Sequence, residues 1–144
     1  MPKKFIYKNV VEWQEQKKGQ MKAEDRESFM VATPAEFQGH PGIWTPEDLF
    51  VAAVNSCIMT TFLYLAEKEA IELVSYQSEA EGVLEIVDKW LLFSGIKVQP
   101  KIVTKTEAQA AQAKEIVHQA EKKCLISKSI KSKVIVIPDI KSTP

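Results

Sequence analysis

Two cysteines, Cys57 and Cys124, carry the most distinctive chemistry in this 144-residue chain. A thiolate is a strong nucleophile, and a sulfur oxidised beside a second thiol can be captured as a disulfide. Cys57 lies inside an uncharged apolar run, and Cys124 lies at the end of an amphipathic one. His40 and His118 complete a set of possible zinc ligands, but no CxxC or HxxxH pair exists, so the spacing favours redox work over a metal. Ile116, Ala120 and Cys124 recur at i, i+4 and i+8. Cys124 therefore shares the buried face of its helix if that helix continues so far. For each cysteine the ordinary role of a small core hydrophobe stays open. A disulfide would need the two Cα atoms within about 7 Å, which spacing alone does not establish.

The elements that must position these thiols are legible in outline. Thr45 suits an N-cap, Pro46 the first helical position, and Glu47 and Asp48 the positive end of the helix dipole. From Leu49 to Ala66 there is no charge, and the apolar residues point in nearly every direction. That pattern predicts a long, buried central helix carrying Cys57. Before it, residues 5–12 read as a strand, 17–20 as a turn, and 20–24 and 28–33 as the rest of a β-meander. Residues 34–44, with two prolines and two glycines, read as a loop. After the helix come extended segments at 71–87 and 90–104, broken at Asp88-Lys89. A second helix opens at Thr106, with Gln109 as capping-box partner, and ends at Cys124. A last strand, 133–137, is stopped by Pro138. Strands, helix, strands, helix and strand make an α+β fold, expected as a single domain over residues 1–144.

The 19 basic and 19 acidic residues cancel. No basic stripe is interleaved with aromatics, which argues against nucleic acid as a partner. Near neutrality leaves little electrostatic penalty for self-association. Met1-Pro2-Lys3-Lys4-Phe5 leads into no apolar leader, and no stretch reads as long enough to span a bilayer. The expectation is a soluble cytoplasmic chain with no membrane partner, where a disulfide is more often transient and catalytic than structural.

Two longer motifs carry a family resemblance. The run from Trp44 through Pro46-Glu47-Asp48-Leu49 to Asn55-Ser56-Cys57 resembles the first signature of the OsmC/Ohr family, the osmotically inducible and organic hydroperoxide resistance proteins. Cys124-Leu125-Ile126-Ser127-Lys128-Ser129-Ile130 resembles the second, a cysteine ending the other long helix with a serine three residues on. The glycine-bearing loop before Trp44, with Phe37 in it, is similar as well. The resemblance implies an intertwined homodimer with active sites at the subunit interface. It also implies a thiol peroxidase, an antioxidant enzyme acting on organic hydroperoxides. Cys57 would attack the peroxide and become a sulfenic acid, Cys124 would condense with it to a disulfide, and an external dithiol would reset the pair. No metal or organic cofactor is implied.

In that family an arginine from the first strands, held by the glutamate matching Glu47, activates the attacking cysteine. The chain has one arginine, Arg26, while Lys17 and Lys18 stand where the family's arginine usually lies. Arg26 is thus the candidate activator, and a solvated turn charge is its alternative role. Glu47 is the candidate orienter, and dipole stabilisation is its alternative. Ten residues of one helix separate Glu47 from Cys57 by about 15 Å. A catalytic Glu47 therefore needs a bent helix or a partner subunit's Cys57. Trp44, Phe50 and Met59 are candidates to line an apolar pocket for the peroxide, and Phe62 reads as core. His40 reads as solvated and His118 as a surface residue. Two further readings remain: a small-molecule-binding protein and a thiol redox sensor on the same fold.

Overall fold

The computed structural model describes residues 3–144. Met1 and Pro2, where the leaderless N-terminus was expected to begin, lie outside the described residues. The chain forms two compact units, one ending at Phe50 and one running from Val51 to Pro144.

The first unit contains an antiparallel meander of β1 (Val10–Glu15), β2 (Lys18–Lys22) and β3 (Phe29–Ala32). Its first strand lies later than the composition suggested. Phe5 to Asn9 have no strand partner, and the turn is Gln16-Lys17, with Gln16 at φ 50° and its carbonyl accepting the Trp13 indole N–H at 2.8 Å. Lys18 to Gln20 belong to β2, not to the turn. Gly19 is needed for close approach, since a Cβ there would lie 3.1 Å from the Glu12 carbonyl oxygen. The loop that follows contains a single 3₁₀ turn, Ala35–Phe37. It is tied back by an Ala32 N–H bond to the Trp44 carbonyl at 2.9 Å.

Helix α1 (Pro46–Lys68) starts where its caps dictate. The Asp48 N–H donates to Thr45 Oγ1 at 2.9 Å, and Asp48 Oδ2 accepts from the Thr45 N–H at 3.0 Å, a reciprocal capping box. Within the second unit, α1 buries one stripe: Val54, Ile58, Phe62, Leu65 and Ala66. Its other flank is exposed, with Leu63 and Tyr64 facing outward. The helix expected to be buried all round is therefore buried on one side within the protomer. The expectation that no stretch could span a bilayer also fails on length and composition, because α1 is 23 residues long and apolar enough. The buried stripe nevertheless packs as an internal helix does. Asn55 Nδ2 donates to the Ser78 carbonyl at 3.3 Å, and the Phe62 and Tyr76 rings lie 5.6 Å apart.

β4 (Leu73–Val87) and β5 (Trp90–Thr104) form a long antiparallel hairpin. Its turn residues, Asp88 and Lys89, both have positive φ (48° and 74°), the geometry that suits a two-residue hairpin loop. Helix α2 (Glu107–Lys123) buries Ala113, Ile116, Val117 and Ala120. Thr106 caps it, accepting from the Gln109 N–H at 3.1 Å. The Gln109 side chain turns away and accepts the Glu72 N–H at 3.3 Å, so the expected capping box is one-sided. A four-residue helix, α3 (Leu125–Lys128), follows. β6 (Lys133–Val136) and β7 (Asp139–Ser142) then pair in parallel, in tandem, along the free edge of β5. Neither α3 nor β7 was anticipated. The α+β class and the order of the longer elements are as expected.

α1 crosses β4 at Gly82, where a Cβ would lie 2.6 Å from Val51 Cγ2 and 2.9 Å from Phe93 Cε1. Gly82→Ala should destabilise the protein by about 1–3 kcal/mol, read by urea denaturation. Adding Val51→Ala should recover part of that loss.

Candidate active site

The two thiols come together. Cys57 is half-buried on α1, and Cys124 is fully buried at the joint between α2 and α3; both are free. The Cys124 N–H closes the last turn of α2 on the Ala120 carbonyl at 2.9 Å. Its ψ of 109° then takes the backbone out of the helix. Its sulfur serves as the cap of α3, accepting the Ser127 N–H at 3.5 Å. This bend aims the first N–H groups of α3 at Cys57, which interacts with the Cys124 thiol and with the backbone N–H groups of Ile126 and Leu125. Thr61, one turn further along α1, brings its hydroxyl to 3.9 Å from the Cys57 sulfur.

These contacts shift the two thiols in opposite directions. Burial pushes the Cys57 thiol up, but hydrogen bonds from Cys124, the Ile126 N–H, Thr61 and the Leu125 N–H outweigh it, and Cys57 ends below the ordinary thiol value. Burial pushes Cys124 up as well. Its bonds with Ser127 pull it down, but donation to Cys57 and the charge there raise it further, so it stays above the ordinary value. Of the two sulfurs, Cys57 is thus the one whose thiolate is favoured and Cys124 the one held as a thiol. A shared hydrogen bond sets the two directions against each other.

Among the described residues of the second unit, the donors to Cys57 are uncharged. Arg26 sits in the connection between β2 and β3, where its guanidinium donates to the Glu24 carbonyl at 2.7 Å, as a turn charge does. Lys17 Nζ donates to the Gln38 carbonyl at 2.9 Å. Glu47 is half-buried in the first turn of α1. Asp48 does the capping, and Glu47 Oε1 is buried without a hydrogen-bond partner among the described residues. Trp44 is about half exposed and lines a shallow recess with Gly42, Ile43 and Asp48. Phe50 and Met59 are half-buried on α1. His40 is not solvated as expected: its N–H donates to the Thr33 carbonyl at 2.9 Å, and Nε2 is buried without a partner among the described residues. His118 is exposed. Among the described residues no group of three His, Cys, Asp or Glu side chains could hold a metal ion.

Sequence reasoning missed two parts of this arrangement. Thr61 was within reach of it, because position i+4 from Cys57 lies on the same face of the helix. The α3 N–H groups were not, because a four-residue helix has no readable period.

Comparison with known proteins bears on this arrangement. The family model described as OsmC-like protein matches residues 39–138. The uncharacterized protein YmaD of Bacillus subtilis is 28% identical over 108 residues, covering 72% of this chain and 71% of its own. An OsmC-like protein of unknown function from Vibrio cholerae superposes with a TM-score of 0.86 at 19% identity, over 94% of this chain and 99% of that one. An organic hydroperoxide resistance protein from Elizabethkingia anophelis, with thiocyanate bound, gives a TM-score of 0.72 at 17% identity, over 98% of this chain and 100% of that one. Another, from Legionella pneumophila, gives 0.67 at 21% identity, over 98% and 100%.

At neutral pH, iodoacetamide should label Cys57 ahead of Cys124, as read by peptide mass spectrometry. Removing a donor to the thiolate raises the Cys57 pKa and lowers its thiolate fraction. Cys124→Ala and Thr61→Val should therefore each move the alkylation profile to higher pH. For Thr61→Val the rate at pH 7 should fall roughly twofold to tenfold, the worth of one hydrogen bond.

Proposed function

Because the chain belongs to the OsmC-like protein family, we propose that it is a thiol-dependent peroxidase that reduces organic hydroperoxides. The observation that carries this reading is the Cys57–Cys124 pair, in which one sulfur is primed to ionise and its neighbour is held as a thiol. The names of the Elizabethkingia and Legionella proteins support the substrate class.

The reaction follows from the order of ionisation. The Cys57 thiolate attacks the terminal oxygen of the hydroperoxide. The O–O bond breaks heterolytically, Cys57 becomes a sulfenic acid, and the departing alkoxide takes a proton to leave as an alcohol. Cys124 then attacks the Cys57 sulfur, a disulfide forms, and water leaves. An external dithiol reduces that disulfide by two successive exchanges and is itself oxidised. Sulfur carries both electrons throughout.

The protein is further proposed to act as a homodimer. Apolar surface supports this: the outer flank of α1 exposes Leu63 and Tyr64, and the far end of the β4–β5 hairpin exposes Val83, Ile86, Trp90 and Leu91. Exposed apolar patches of this kind mark association surfaces. In such a dimer the unpartnered carboxylate oxygen of Glu47 would serve the partner subunit's thiol, since α1 is unbroken and the rise from Glu47 to Cys57 is about 15 Å.

Reduced protein mixed with cumene hydroperoxide and excess dithiothreitol should consume peroxide catalytically. Cys57→Ser should abolish that activity, and Cys124→Ser should still consume one equivalent per chain in a single turnover. Stoichiometric loss without turnover in the native chain would favour a redox sensor, and no loss at all a binding protein. In sedimentation analysis the protein should run as a dimer, and Ile86→Glu with Trp90→Glu should shift it toward monomer.

A further inference from the structure

Cys124 presents a chemical difficulty that the pairing with Cys57 does not resolve. It is fully buried, it ends the helix whose buried residues are Ala113, Ile116, Val117 and Ala120, and burial opposes its ionisation. A resolving sulfur must nevertheless become a thiolate to attack. We propose that Ser127 activates Cys124 for this second step: its backbone N–H already meets the sulfur, and its buried, unpartnered hydroxyl turns to donate to the thiolate as that forms.

The geometry is built before the reaction begins. The Ser127 N–H lies 3.5 Å from Cys124 Sγ, fixed there because Cys124 caps α3. The Ser127 hydroxyl is buried one helical turn from the same sulfur and has no hydrogen-bond partner among the described residues. A buried hydroxyl without another partner gains most by donating to an anion. Cys57 is the titratable group that bears on Cys124 and opposes these donors. As a thiolate it accepts a hydrogen bond from the Cys124 thiol, which keeps its proton, and repels a second negative charge. Oxidation converts Cys57 to a neutral sulfenic acid and removes that opposition, while the Ser127 donors stay in place. Cys124 is thus kept protonated while Cys57 attacks the peroxide and is released to ionise only afterwards.

The step balances. The Cys124 sulfur bonds to the Cys57 sulfur, and the S–O bond of the sulfenic acid breaks. The sulfenic sulfur is reduced, the Cys124 sulfur is oxidised, and the departing hydroxide leaves as water with the proton that Cys124 gave up.

This inference rests on reading Cys57 and Cys124 as an attacking and a resolving pair, and two experiments keep it separable from that reading. In single turnovers with one equivalent of cumene hydroperoxide, Ser127→Ala should slow disulfide formation roughly tenfold or more. Its pH profile for that step should move to higher pH, and dimedone should trap Cys57 as an adduct. Ser127→Thr, which keeps the hydroxyl, should restore much of the rate. The second experiment uses no peroxide. Ultraviolet titration of the remaining thiolate in Cys57→Ser should show Cys124 ionising at lower pH than in Cys57→Ser with Ser127→Ala. Equal titration curves, or a Ser127→Ala variant resolving at the native rate across pH, would overturn the role of Ser127. Shifted titration curves in a protein that never forms the Cys57 sulfenic acid would support the Ser127 donors and sink the peroxidase reading alone.

Discussion

The approach of the Cys57 and Cys124 thiols to each other makes demands on much of the second unit. It requires α2 to stop at one residue. One turn longer, and the Cys124 sulfur would be followed by helical backbone with its N–H groups directed along the α2 axis. The chain instead leaves the helix at Cys124, with ψ at 109°, and restarts at once as α3. The end of α2 is also held against sliding. Glu121 accepts the Val136 N–H at 3.3 Å, tying the last turns of the helix to β6. The buried face of Ala113, Ile116, Val117 and Ala120 seats the same helix on β5 and β7. Small residues at both ends of that face let the helix approach the sheet closely, so the sulfur at its end has a defined position.

The means of activating Cys57 follows from the same joint. Cys57 is half-buried, and a cation placed beside it would itself need desolvating. Neutral donors avoid that cost. Two backbone N–H groups, a thiol and a hydroxyl each contribute modestly, but together they outweigh the burial that raises the Cys57 pKa. The donors are also stereochemically fixed, because two of them are main-chain groups that no rotamer can withdraw.

What was legible in the sequence was what local chemistry determines. Thr45, Pro46 and Asp48 announce the start of α1, Thr106 the start of α2, and Asp88-Lys89 the hairpin turn. Each of these acts within a few residues of itself. The α+β class followed from the order of those elements. The first strand was misplaced because Phe5, Ile6 and Tyr7 look like strand residues, yet a strand exists only where a partner supplies hydrogen bonds. β7 and α3 were missed because four residues carry no usable period. At the site, each cysteine's helix and its position on that helix were readable. Their meeting was not, because it depends on how α1 and α2 seat against one sheet. The N–H groups of Leu125 and Ile126 belong to no side chain and have no sequence signature at all.

The composition of α1 has a physical explanation once its two sides are considered separately. A helix packed against one sheet needs one apolar stripe, and Val54, Ile58, Phe62 and Leu65 supply it. Were that its only duty, the opposite side would carry the charges that surface helices carry, and the sequence would read as amphipathic. It does not: the charge-free run from Leu49 to Ala66 extends around the helix, and part of it faces outward in the protomer. An apolar outer flank costs solubility unless something covers it, and the hairpin end that exposes Ile86 and Trp90 has the same need. The proposed homodimer would answer both needs at once, since an isologous contact covers the same patches on both copies. In the proposed homodimer α1 would be apolar all round because it would answer to two partners, its own sheet on one side and another subunit on the other. Cys57 then lies on the helix where both constraints meet.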